Sequence, residues 1–128
     1  MRILLDTHIW LWALTDSAAI PAVLRDRLRS KRDTFLISGA SAWEIAIKAR
    51  LGRLQLPLDP PAFLRAAMRD LPVVELPITF AHAARVAELP RHHRDPFDRM
   101  LIAQAQVEGL AIMTVDRAFD AYGVPVLR

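Results

Sequence analysis

Residues 1–14 read MRILLDTHIWLWAL, and their pattern decides the fold. Ile3-Leu4-Leu5 is a short continuous apolar run, not an alternation, as expected of a strand buried on both faces. The run stops at Asp6, and His8 to Leu14 then reads as a helix. A doubly buried strand passing straight into a helix opens a βα unit, and sheets assembled from such units are parallel and covered on both sides.

The rest of the chain repeats the alternation. Ser17 and Pro21 open a helix that turns Val23, Leu24 and Leu28 inward, and Thr34 to Ser38 (TFLIS) is the second strand. Ser38 or Ser41 caps a helix reaching about Arg50. Residues 51–61 (LGRLQLPLDPP) form a loop on the strength of their Gly and Pro. Phe63, Leu64, Ala67, Met68 and Leu71 recur at helical spacing, and Val73 to Leu76 is a weaker third strand. Thr79 caps a helix from Phe80 to about Leu89, and residues 90–94 form a basic loop. Asp95-Pro96 starts a strong helix ending at Gly109. Leu110 to Thr114 and Val124 to Leu127 complete a sheet of about five strands. The expectation is one α/β domain over residues 1–128, without internal repeats.

Composition narrows the classes. A chain of 128 residues can bury a real core, and 53% apolar residues exclude intrinsic disorder. The absence of cysteine rules out disulfides, thiolate metal sites and thiol nucleophiles. It fits a reducing cytoplasm, where the chain is expected to reside. No apolar run approaches the roughly 18 residues of a membrane span. The start has one positive charge, with Asp6 and His8 inside its apolar stretch, so it reads as strand and helix and not as a signal peptide. Lys and Arg outnumber Asp and Glu by 17 to 14. If several acids gather in one site, the remaining surface is more basic than that total, which points to a polyanionic partner.

Four carboxylates carry the chemistry. Asp6, Glu44, Asp98 and Asp116 are far apart in the chain, yet each falls where a strand end or helix start turns toward one edge of the sheet. Open α/β sheets bind ligands at that edge. Acids converging there repel one another unless a divalent cation holds them, and a hard cation on oxygen ligands is the chemistry of metal-dependent phosphodiester hydrolysis. Each acid also has a plainer reading. Asp6 can cap the helix that follows. Glu44 and Lys48 form an i,i+4 pair, although their helix is otherwise so apolar that a single acid is expected to face a cleft. Asp95 has the spacing of a helix cap with Pro96 at the first helical position, leaving Asp98 on the third. Asp116 can be a turn residue, with the Thr114 hydroxyl beside it.

Other conspicuous residues say less. His92 and His93 are adjacent on a loop with no third ligand at zinc spacing, and His8 and His82 stand alone. Trp10 and Trp12 lie in an apolar helix and read as core or interface, not as a platform for bases. Arg25, Arg27, Arg29, Lys31 and Arg32, opposed by Asp26, form a solvated face or a surface for RNA or a partner.

Taken in order, Leu4-Leu5-Asp6-Thr7, Ser41-Ala42-Trp43-Glu44-Ile45, Asp98-Arg99-Met100-Leu101-Ile102-Ala103 and Met113-Thr114-Val115-Asp116 resemble the motifs of the PIN domain. The nearest subgroup resembles the VapC-type toxins of bacterial type II toxin–antitoxin pairs. The run from His92 to Arg99, followed by a small-residue helix ending Glu108-Gly109, is similar to one VapC branch. The resemblance implies an α/β/α sandwich around a parallel sheet and a Mg²⁺- or Mn²⁺-dependent ribonuclease. It implies Asp6, Glu44, Asp98 and Asp116 as the acidic quartet. Asp98 takes the third place over Asp95 by its distance to Glu108-Gly109.

On that reading Asp6 and Asp98 are the main metal ligands. Glu44 and Asp116 bind directly, bind through water, or take a proton from the attacking water. Lys48 and Arg99 hold flanking phosphates, and Thr114 supplies a further polar group. One ion or two is left open. The resemblance also implies a homodimer and a small VapB-like antitoxin, with no membrane involved. An apolar groove lined by Trp10, Trp12 and Trp43 is expected to seat that partner. A catalytically silent PIN-fold module for RNA or partner binding is the alternative, and the complete quartet argues against it. A phosphoaspartyl phosphatase is disfavoured because Asp6-Thr7-His8 lacks a second acid two residues on.

Overall fold

The central strand of the sheet is the first one, β1 (Arg2–Leu5), in a computed structural model that describes residues 1–92 and 94–128. His93, half of the histidine pair, lies outside the described residues. Helices α1 (Thr7–Leu14) and α2 (Ala22–Arg29) lead to β2 (Thr34–Ser38), and α3 (Gly39–Arg50) and α4 (Pro60–Asp70) lead to β3 (Val74–Leu76). Helices α5 (Phe80–Glu88) and α6 (Pro96–Glu108) return the chain to β4 (Ala111–Met113). A 3₁₀ segment (Arg117–Tyr122) then precedes β5 (Val126–Leu127). The strand order is β3-β2-β1-β4-β5, all parallel, with Ile3 beside Phe35 on one side and Ala111 on the other.

The apolar runs explain the layering. Ile3, Leu5, Phe35 and Ile37 point to one face, where they pack with Ile9 and Trp10 of α1, Ile45 of α3 and Phe63 of α4. Leu4, Leu36 and Ile112 point to the other, against Leu101 and Ile102 of α6 and Phe119. A strand with both faces covered has no polar positions to alternate, which is why these strands read as unbroken hydrophobic runs.

The order places a topological switch at β1. The chain leaves β1 toward β2 and β3, then crosses back to add β4 on the other flank. Helix α1 lies on one face and α6 on the other, so the carboxyl ends of β1 and β4 form a switch point of the kind at which open α/β sheets bind ligands.

Three local expectations need correction. Val23 is 68% exposed; the short α2 buries Leu24 and Leu28, four residues apart, and Val23 falls off that stripe. Met68 is likewise largely exposed, while Phe63 and Ala67 carry the buried face of α4. Pro60 and Pro61 belong to α4, not to the loop. Asp59 caps that helix by accepting from Ala62 N–H at 3.2 Å, and prolines fit a first turn whose N–H groups have no partner inside the helix.

Candidate active site

Asp6 ends β1 with its side chain 2% exposed. It occupies the cap position of α1 but makes no side-chain cap bond. Its Oδ2 instead accepts a 2.7 Å hydrogen bond from the Thr114 hydroxyl, at the end of β4. The Thr114 oxygen in turn accepts from Asp116 N–H at 3.0 Å. One fully buried hydroxyl thus ties the first acid to the backbone of the fourth across the switch point. Burial pushes the Asp6 carboxyl up and Glu44 adds to this; the Thr114 bond and His8 pull against it without cancelling it.

Glu44 comes from α3, which Ser38 caps by accepting from Ala40 N–H at 3.0 Å. Helix α3 packs against both α1 and α6, so its single acid is 2% exposed. Lys48 Nζ donates to Glu44 Oε2 at 2.6 Å. The expected i,i+4 pair therefore exists, and the acid is buried as well. Glu44 Oε1 is buried and has no hydrogen-bond partner. A carboxylate oxygen left in that state is costly, so the site is built for something that approaches it.

Asp95 and Asp98 divide as their spacing suggests. Asp95 Oδ1 accepts from Phe97 N–H at 2.9 Å and Asp98 N–H at 3.2 Å, capping α6 with Pro96 at its first position. Asp98 sits one step further in, half-buried, with its carboxyl pushed up to about 8. Burial is the main cause, followed by the charges of Asp95, Asp6, Glu44 and Asp116. All the acids singled out in the sequence therefore bear on one carboxyl group. Asp116 is exposed at the mouth, where its Oδ1 accepts from Ala118 N–H at 2.9 Å and starts the 3₁₀ segment. Lys48 is pushed up by Glu44, against its burial, and also feels Asp95 and Asp98.

The donor set fits a hard divalent cation: carboxylate oxygens, one of them buried without a partner, around an acid that holds its proton near neutrality. Among the described residues no three His, Cys, Asp or Glu side chains stand close enough together to hold a metal ion, so the acids meet through their charges and not as a preformed ligand set.

Two expectations about phosphate-binding residues change. Arg99 donates to the carbonyls of Pro90 at 2.7 Å, Val86 at 3.2 Å and Leu89 at 3.3 Å. Its guanidinium is thus committed to closing the end of α5 instead of meeting a flanking phosphate. Thr114 is fully buried and orients Asp6, so it cannot touch substrate directly.

The groove expected between three tryptophans is also different. Trp10 is core at 1% exposure, and Trp43 packs edge-to-face on Phe97 with centroids 5.4 Å apart, bridging α3 and α6. A cavity of about 420 Å³ does open beside Glu44, the one acid of the four that lines it, with His8, Leu11, Trp12, Lys48 and Leu54 among its other walls. A larger one, about 640 Å³, lies beside Lys31, Thr34 and Val73 at the opposite end of the strands and holds none of the four acids.

Sequence reading missed Thr7 and Ser41, whose hydroxyls form a buried 2.8 Å hydrogen bond between the start of α1 and α3. The available signal was a hydroxyl one residue after Asp6 and another three before Glu44. It also missed His82. This fully buried ring accepts from Thr79 N–H at 3.0 Å through Nδ1, and its Nε2 lies 3.2 Å from Glu108 of α6.

A family model described as PIN domain matches residues 3–125. The chain belongs to the PIN domain family. Ribonuclease VapC16 of Mycobacterium tuberculosis is 42% identical over 53 residues, which are 41% of this PIN chain and 38% of that protein. The chain thus spans well under half the length of the curated relative it matches. Among solved structures, VapBC2 from Rickettsia felis bound to a promoter DNA fragment superposes with a TM-score of 0.75 at 15% identity, covering 99% of this chain and 98% of the other. VapC20 of Mycobacterium tuberculosis, a sarcin–ricin loop cleaving toxin, gives 0.65 at 21% identity, with 98% of both chains covered. At these identities the two structures speak for the shared PIN fold.

Proposed function

We propose that this chain is a divalent-metal-dependent endoribonuclease and the toxin of a toxin–antitoxin pair, with Asp6, Glu44, Asp98 and Asp116 as its catalytic acids. The observation that carries the proposal is the buried, unpartnered Glu44 Oε1 in a site where burial first, and then the neighbouring carboxylates, push Asp98 up to about 8. That electrostatic defect calls for a cation. The similarity to a protein named ribonuclease VapC16 and the shared fold with an RNA-cleaving VapC20 support RNA as the substrate.

When bound, Mg²⁺ or Mn²⁺ supplies Lewis acidity that makes a water nucleophilic near neutral pH and offsets charge on the scissile phosphate. Asp6 and Asp98 would hold it, with Asp6 kept in one orientation by the Thr114 hydroxyl. Glu44 offers Oε1 from the floor of the site. Asp116, which is exposed, would ligate the ion or take a proton from the attacking water. Lys48, held on Glu44 and partly exposed, would meet RNA phosphate.

The groove beside Glu44, with Leu11, Trp12 and Leu54 on its apolar side, suits an amphipathic segment of a small antitoxin whose basic side chain reaches Asp6 and Asp98. A homodimer goes with this reading, and sedimentation of the purified chain tests it. The catalytic proposal is tested by incubating antitoxin-free protein with RNA in Mg²⁺ or Mn²⁺. Cleavage that EDTA stops is expected, and intact RNA with folded, metal-loaded protein overturns the proposal.

A further inference from the structure

The Glu44–Lys48 pair differs from an ordinary surface ion pair. The two atoms are 2.6 Å apart, the carboxylate side chain is 3% exposed and the lysine 37%. Exposed i,i+4 pairs contribute little to stability and come and go with solvent. Here one partner is taken out of water, so the ammonium is held where the buried charge needs it. Helix α3 packs on α6, and the charges of Asp95 and Asp98 also act on the Lys48 ammonium. A side-chain cation therefore already stands among the acids, on a flexible stem that reaches solvent.

Two-metal phosphodiesterases place a second ion about 3.5–4 Å from the first to stabilise the leaving oxygen. With the ammonium on Glu44 Oε2 and one ion on Oε1, a second divalent ion at the same carboxylate would meet both positive charges at short range. We propose that Lys48 occupies the place of a second metal, so that the site takes one divalent ion and the Lys48 ammonium provides the other positive charge that meets the phosphodiester. Glu44 Oε2 positions the ammonium and leaves Oε1 for the ion. Lys48 acts as a charge and a hydrogen-bond donor; it stays protonated and transfers no proton. This inference rests on the metal-dependent reading above.

The test is Mn²⁺ binding to the intact chain without RNA, by calorimetry for the stoichiometry and by electron paramagnetic resonance for the ion's neighbours. Wild type should bind one Mn²⁺ per chain with the spectrum of an isolated ion. Lys48→Met, which keeps the stem and removes the charge, should bind two and show exchange coupling between them. Lys48→Arg, which keeps the charge, should return to one. RNA cleavage by Lys48→Met should fall about 100-fold and recover in part as Mn²⁺ is raised. Two coupled ions in wild type, or a single ion in Lys48→Met, overturns this inference and leaves the metal-dependent reading standing. No bound Mn²⁺ in wild type overturns both.

Discussion

Replacing Asp98 with Asn should stabilise the metal-free protein in alkaline buffer, although it removes a proposed catalytic group. Asp98 has a carboxyl pushed up to about 8 from an ordinary 3.8. Below the lower value both folded and unfolded chains hold the proton, and stability does not depend on pH through this group. Between the two values the folded chain keeps a proton that the unfolded chain has lost, so stability falls as pH rises, and above about 8 the loss is complete. The unscreened ceiling is roughly 6 kcal/mol over that window. Asp98 is only half-buried, and solvent screening reduces the expectation to about 2 kcal/mol. Asp6, also raised, changes stability in the same direction. Asn carries no charge at any pH, so Asp98→Asn should melt about 5–10 °C above wild type at pH 8.5 in chelated buffer and close to it at pH 5. The assay is calorimetric or circular-dichroism melting at half-unit pH steps. Millimolar Mn²⁺ should raise wild type and leave Asp98→Asn nearly unmoved. Parallel melting curves for the two proteins from pH 5 to 9 would refute the reasoning that the acids strain one another.

Thr114→Val should weaken Mn²⁺ binding about 10–100-fold by freeing Asp6 Oδ2, as read by calorimetry. Asp95→Ala should cost about 1 kcal/mol as a lost helix cap and leave RNA cleavage within a few-fold, whereas Asp98→Asn should abolish it. The reverse pattern in folded proteins would move the third catalytic acid to Asp95. Arg99→Met should lower the melting temperature through three lost carbonyl contacts and leave KM for RNA unchanged. Expression of the chain alone should arrest growth, with rescue by the small gene beside it; a harmless, soluble chain would remove the toxin reading.

The fold was legible because burial on both faces writes itself into sequence as unbroken runs: Ile3-Leu4-Leu5, Phe35-Leu36-Ile37 and Ala111-Ile112-Met113 are all buried strands. Strand order was not legible, since nothing local in those runs says that β1 lies between β2 and β4. Helix faces were less secure where helices are short: in the eight residues of α2, Val23 and Leu24 are equally apolar and only packing separates them. At the site, Asp95 as cap followed from the position of Pro96, whereas Asp98 as the third acid came from the resemblance, through its distance to Glu108-Gly109. The roles of Thr114, Thr7 and Ser41 did not, because a hydroxyl's partner is fixed by tertiary contact; the Thr114–Asp6 bond spans 108 positions. Arg99 was misjudged for a similar reason. A basic residue near acids suggests phosphate, yet the carbonyls ending α5 lie closer.

Acids from β1, α3, α6 and the end of β4 are proposed to hold a divalent ion together. Anomalous diffraction from crystals of the antitoxin-free chain grown with millimolar Mn²⁺ tests it most directly. An anomalous peak is expected within ligating distance, about 2.0–2.3 Å, of carboxylate oxygens of Asp6 and Asp98. A map at full Mn²⁺ occupancy elsewhere, with no peak between those two side chains, would contradict it.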